Sequence, residues 1–182
     1  VEEKKAAAIA EIERGFFFEG RGGFWATLGP PALPGGATYF SPGQAAQVDL
    51  GFDLGEWVSP SLFVLVTGNR MRSDYTGLSG GTASGDYAAL IPGVGLKVRV
   101  AGFEDAQSVK RTWLYLRAAG GVILYYPAAL IGRLDVLVSG GAGIEYFTRL
   151  RHFSIGLEAN FNFMALTSTF GFSVLPTVKY SF

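Results

Sequence analysis

Ser79 stands at the centre of Gly77-Leu-Ser-Gly-Gly81, the Gly-x-Ser-x-Gly spacing that places a nucleophilic serine on a strand-to-helix turn in hydrolases. That chemistry needs a histidine base within hydrogen-bond reach of the serine, and a helix directly after it. The chain has one histidine, His152, in the polar stretch Thr148-Arg-Leu-Arg-His152, and a Gly/Ser-rich loop follows Ser79 where the helix should be. The match is read as chance. His152 is read as a polar turn residue, and Arg149 and Arg151 as rim residues that meet solvent or lipid phosphate. Asp74 and Asp86 are two carboxylates without the ligand spacing of a calcium loop. With one histidine and no cysteine there is no basis for a zinc site, a thiol nucleophile or a disulfide framework. The sequence therefore predicts no catalytic residue, no metal, no cofactor and no enzyme.

A second set of polar residues has a more ordered setting. Glu19, Arg21, Asp49, Asp53, Lys97, Arg99, Arg117, Glu145, Glu158 and Lys179 lie in segments whose alternate positions are apolar. A period of two is the signature of a strand with one polar and one apolar face. Eight such segments run from Gly15 to the C-terminus: roughly 15–28, 44–54, 61–69, 87–101, 111–125, 134–148, 153–163 and 172–182. The seventh is the cleanest, with Phe153, Ile155, Leu157, Ala159, Phe161 and Phe163 opposite Ser154, Gly156, Glu158, Asn160 and Asn162. The facing of the third, an apolar run, is left open. Loops at 29–43 and 70–86 are long, while those at 55–60 and 149–152 are short, as in a barrel with long outer loops and short inner turns. The connection at 102–110 is longer than that scheme expects.

Two architectures fit this periodicity. A soluble lipocalin-like barrel would turn its apolar faces inward, whereas a transmembrane barrel would turn them toward lipid. Strand lengths above the ~9–11 residues of a membrane crossing favour the second. So do the large aromatics Phe16, Phe18, Tyr180 and Phe182 near one rim. The expected fold is thus all-β: an eight-stranded antiparallel up-and-down transmembrane β-barrel over residues 15–182. Residues 1–14, rich in Ala, Glu and Lys, form a short N-terminal leader or helix on the periplasmic side. The ten charges, five acidic and five basic, then point into a bore that side chains alone can fill, so they are expected to pair across it. Glycine clusters at 20–23, 93–95, 120–121 and 140–143 are expected to permit strand curvature, or alternatively to form flat patches against a partner barrel.

Composition agrees. Fifteen basic and fifteen acidic residues cancel, which leaves no basic surface for nucleic acid. No helical span is foreseen, and Val1 as first residue is expected to follow a removed secretory signal. The final strand carries Val178, Tyr180 and Phe182 on one face. A terminal aromatic in this pattern resembles the C-terminal signal read by the outer-membrane insertion machinery. The expected location is the outer membrane of a Gram-negative bacterium, with outer-membrane lipid as one partner.

Several segments are similar to a known family. Phe40-Ser-Pro-Gly-Gln44, Ser73-Asp-Tyr-Thr-Gly77, Arg111-Thr-Trp-Leu-Tyr-Leu-Arg117, Asp135-Val-Leu-Val138 and Tyr146-Phe-Thr-Arg-Leu-Arg-His-Phe-Ser-Ile-Gly-Leu-Glu158 resemble the myxobacterial adventurous gliding motility outer-membrane barrels, the CglE-like group. The likeness runs from about Glu13 to Phe182. It implies a non-enzymatic structural or anchoring subunit of a cell-surface gliding motility or adhesion complex. It also implies partners among other outer-membrane barrels and periplasmic proteins, reached through the leader and turns. A small channel or carrier for hydrophobic solutes is the alternative reading.

Overall fold

The computed structural model describes residues 12–28, 40–71, 85–150 and 152–182. Most of the leader, the serine motif, Asp74 and the central parts of the two long loops lie outside the described residues. The strands are β1 (Phe16–Leu28), β2 (Phe40–Phe52), β3 (Val58–Asn69), β4 (Tyr87–Glu104), β5 (Lys110–Tyr126), β6 (Leu134–Phe147), β7 (Phe153–Met164) and β8 (Thr169–Ser181). Each pairs antiparallel with its sequence neighbour, and β1 pairs with β8, so the sheet closes without a free edge. Closure begins beside the termini: Phe17 lies opposite Ser181, and the Phe182 N–H donates to Phe16 O at 2.9 Å. We call this end the lower end. Among the described residues no helix is long and apolar enough to cross a membrane, and the strands of a barrel need none.

The period of two sorts the wall. Leu50, Leu62, Val64, Val94, Leu116, Val138, Ile155 and Phe161 are all exposed on the outside, while Glu19, Asp49, Arg99 and Glu158 are buried inside. This is the inverse of a soluble barrel, and it removes the lipocalin-like alternative. Aromatic residues gather at both rims. At the lower rim Phe16 lies 5.6 Å from Phe182, and Tyr180 lies 4.9 Å from Phe182 and 5.0 Å from Phe153. At the upper rim Phe24, Phe40, Phe161, Phe163, Phe170 and Phe172 are linked in the same way.

Several boundaries differ from the sequence expectation, among them the starts of β3 at Val58 and of β8 at Thr169. β2 begins at Phe40, so Pro42 and Gly43 belong to the wall; the Pro42 carbonyl accepts from the Arg70 N–H at 3.0 Å. β4 runs to Glu104 and β5 starts at Lys110, which shortens the supposed long connection to residues 105–109. A register shift between Arg99 and Ala101 explains why this was hidden. The bulge reverses the in–out parity of the last residues of β4, so that Gly102 rather than an odd-numbered residue faces Trp113. The turn itself is organised by Asp105, whose carboxylate accepts from the Gln107 and Val109 amides and from Arg111. Against the desolvation that raises it, the Val109 amide, the Arg111 guanidinium and the Gln107 amide hold the Asp105 carboxyl below its ordinary range. The facing of β3 is settled with Phe63, Leu65 and Thr67 inward and Leu62, Val64 and Val66 outward.

The glycine clusters divide by face. Gly20 and Gly140 point outward into open space, whereas the inward Gly93 and Gly143 lie against the rings of Phe63 and Tyr115, where an added Cβ would strike the ring. A bore this narrow holds large inward rings only where the paired residue on the adjacent strand lacks a side chain. Gly143→Ala should therefore destabilise the barrel by about 1–3 kcal/mol through overpacking, and Gly140→Ala by less than about 0.5 kcal/mol, both read from urea unfolding in detergent.

Candidate functional site

The ten charges of the sequence expectation occupy one compartment, the lower part of the bore. Each is at most 6% exposed. Arg21 on β1 is the hub, 3.1 Å from Glu19 and 3.0 Å from Asp49, and also paired with Glu158. Arg117 on β5 binds two of these three partners from the far wall, at 2.9 Å from Asp49 and 3.7 Å from Glu158. Glu19 passes the chain to Lys97 at 3.1 Å, and Lys97 to Glu145 at 3.8 Å. Glu145 and Asp53 then share Arg99, at 2.9 and 3.3 Å, and Lys179, at 3.9 and 2.6 Å. A path along ion pairs visits all ten residues and draws on seven of the eight strands.

Neutral groups complete the carboxylate shells. Gln47 donates to Asp49 at 2.7 Å, Ser59 to Asp53 at 2.5 Å, Ser154 to Glu145 at 2.8 Å, Asn160 to Glu158 at 2.9 Å and Tyr115 to Glu158 at 3.0 Å. Buried carboxylates need their remaining lone pairs satisfied as well as their charge balanced, and these donors do that. Lys97 and Lys179 also sit over aromatic faces, 4.6 Å from Tyr115 and 4.2 Å from Phe17. The Nε and Nη1 atoms of Arg21 touch their carboxylates without hydrogen-bond geometry, so that part of the hub is held by charge alone.

The upper bore is different in kind. Trp25, Phe63, Leu65, Ile91, Ile123, Leu137, Met164 and Leu175 pack there as an apolar cluster. Over its top the short helix α1 (Ala128–Ile131) turns Leu130 and Ile131 down against Tyr87. The expectation of a polar lumen is therefore corrected for this cluster: around it the wall is apolar on both faces and alternation carries no signal, while Thr27, Thr67, Asn69 and Asn162 keep buried polar groups in the upper bore. Between the two tiers lies a void of about 10 Å³, bordered by Gln47, Arg117 and Asn160 on one side and Phe63 and Leu137 on the other.

Two buried charges were missed by the sequence reading. Arg111, 1% exposed, pairs with Asp105 at 2.7 Å and donates to Thr148 O at 2.9 Å, tying two lower turns together. Asp135, fully buried, accepts from Leu166 N at 2.7 Å, Thr167 N at 3.2 Å and Thr167 Oγ1 at 2.6 Å, fixing the β7–β8 turn at the upper end. Their inward parity on β5 and β6 was the available signal. His152 lies in the lower β6–β7 turn, its Nδ1 2.8 Å from Ser181 O and its ring stacked on Tyr180 at 5.3 Å. Tyr180, Val178 and Phe182 stand on the outer face of the closing strand or just beyond it. Among the described residues no cluster of His, Cys, Asp and Glu is arranged to hold a metal ion.

This architecture, apolar outside and ion-paired within, is that of the eight-stranded outer-membrane barrels. The comparison with solved structures gives the same class. The chain is similar to Neisserial surface protein A, NspA, with a TM-score of 0.62 at 11% identity over 92% of this chain and 97% of that one. Ail, the attachment invasion locus protein of Yersinia pestis, aligns with a TM-score of 0.46 at 13% identity over 92% and 98%. The outer membrane enzyme PagL aligns with 0.49 at 12% identity over 92% and 99%. At these identities the likeness concerns the fold alone. No protein-family profile and no curated protein matches the sequence. The expectation that the chain is not an enzyme is corrected here. Among the solved structures that align with the chain, PagL is described as an outer membrane enzyme.

Because Arg21 touches three carboxylates, Arg21→Met should cost about 3–5 kcal/mol by leaving them under-compensated. Adding Glu19→Gln, which removes one of the three charges, should recover part of that loss. Urea unfolding of the two single variants and the double variant measures both terms.

Proposed function

We propose that the protein is an integral outer-membrane barrel of a Gram-negative bacterium that serves as a structural and anchoring subunit of a cell-surface gliding motility or adhesion assembly. The observation that carries this reading is the filled bore. Ion pairs occupy the lower half, an apolar cluster with hydrogen-bonded polar groups the upper half, and α1 covers the top. A barrel whose described bore is filled in this way does its work through its loops, its turns and its outer wall. The resemblance to the myxobacterial gliding motility barrels supplies the kind of assembly. In this reading Val178, Tyr180 and Phe182 form the insertion signal, lipid covers the outer wall, and periplasmic proteins and other barrels engage the turns and wall.

A second reading keeps support from one feature. The upper tier and the inner face of α1 are apolar, the lining a carrier of hydrophobic solutes would need. It requires the ionic tier or the apolar tier to open.

Crosslinked affinity purification from native envelopes, followed by mass spectrometry, separates the two. The assembly reading expects a reproducible set of outer-membrane and periplasmic proteins to accompany the barrel. Recovery of the barrel alone, together with planar-bilayer conductance that rises in Arg117→Met or Glu158→Gln, would transfer the case to the carrier.

A further inference from the structure

Gly15 is fastened to the lower rim by the Asp53 N–H, which donates to its carbonyl at 2.7 Å. The residue before it, Arg14, reaches back across the lower mouth. Its guanidinium lies 5.6 Å from the centre of the Trp113 ring and 5.4 Å from that of Phe147, and it donates to Gly55 O at 3.4 Å. Trp113 is wholly buried although it stands only three residues into β5 from the lower turn. Trp57 meets it edge-on at 5.4 Å, and Arg14 adds to the cover.

Phe147 is where the two sides meet. Besides Arg14, its ring has Arg99 at 5.4 Å and Lys179 at 5.9 Å, both members of the ionic tier. Asp53 forms a second bridge, because its amide holds Gly15 while its carboxylate pairs with Arg99 and Lys179. We propose that Arg14 is a removable cap on the lower mouth, coupling the segment ahead of β1 to the ionic tier. Among the described residues the close contacts of Arg14 are to two aromatic faces and one carbonyl, each individually weak, and the attraction of Glu56, Asp53 and Glu145 is opposed by Arg99, so a partner that draws on Arg14 and Gly15 can lift the guanidinium without breaking the barrel. Lifting it admits water to Trp113 and Phe147 and leaves the apolar tier shut, so the cap controls hydration of the lower bore and not passage through it.

The indole N–H groups of the three tryptophans report this separately. Trp113 donates to Lys110 O at 3.0 Å below the ionic tier, Trp25 is buried in the upper tier, and Trp57 is exposed. Hydrogen exchange of these groups is followed by NMR on the full chain in detergent micelles, for the parent and for Arg14→Ala. Exchange at Trp113 should quicken by about tenfold or more, with Trp25 unchanged and Arg14→Lys in between. Unchanged exchange at Trp113 would overturn the proposal. Equal acceleration at Trp113 and Trp25 would also overturn it, because that pattern reports general loosening of the barrel. If Arg14→Ala does not fold, Arg14→Gln takes its place under the same two criteria.

Discussion

Ten charged side chains share a bore too narrow for bulk water to stand between its walls, and each must find its counter-charge on another strand. An isolated buried charge costs several kcal/mol, and an ion pair offsets that only when its geometry and remaining hydrogen bonds are complete. Arg21, on β1, needs Asp49 on β2 and Glu158 on β7. Arg99, on β4, needs Asp53 at the foot of β2 and Glu145 on β6. These requirements run across the barrel, so they fix its closure and stagger as well as its pairwise registers. A register slip by one residue would turn a full set of charges toward lipid and a set of leucines and valines inward.

The space for this circuit comes from glycines on the adjacent strands. Phe63 and Tyr115 project into the bore because Gly93 and Gly143 face them without side chains. Their rings then serve as neutral partners for the circuit: Arg117 lies 5.3 Å from Phe63, and Lys97 lies 4.6 Å from Tyr115. Small residues on one strand, rings on the next and charges on the third form one packed unit. The outer wall is free of these demands and is apolar apart from residues such as Gln44 on β2, with aromatic residues at the rims.

The two ends close by different chemistry. The upper end is sealed by apolar contact of Leu130 and Ile131 with Tyr87, together with the Asp135 carboxylate that ties down the β7–β8 turn. The lower end is sealed by cations on aromatic faces and by Arg111, which joins the β4–β5 turn to Thr148. Apolar contact is lost only by moving the helix, whereas a cation–ring contact is lost by rotating one side chain. The lower mouth is therefore the more easily altered of the two.

The strand number, the apolar outer wall and the identity of the ten inward charges were legible in the sequence, because a strand exposes its period of two without reference to any other strand. The same local logic failed where it had to. At Phe63 and Leu65 of β3 and around the apolar cluster of the upper bore both faces are apolar, so Trp25, Leu65, Ile91 and Leu137 give no alternation to read. Near the end of β4 a bulge reverses the parity, and the turn that follows looks longer than it is. Which acid pairs with which base, the division of the bore into an ionic and an apolar tier, and the place of Arg14 over Phe147 were decided only by the tertiary structure. Those relations join residues far apart in the chain, such as Asp53 and Lys179, through the closure of β1 on β8 and the stagger of the strands. Neither is encoded in any single segment.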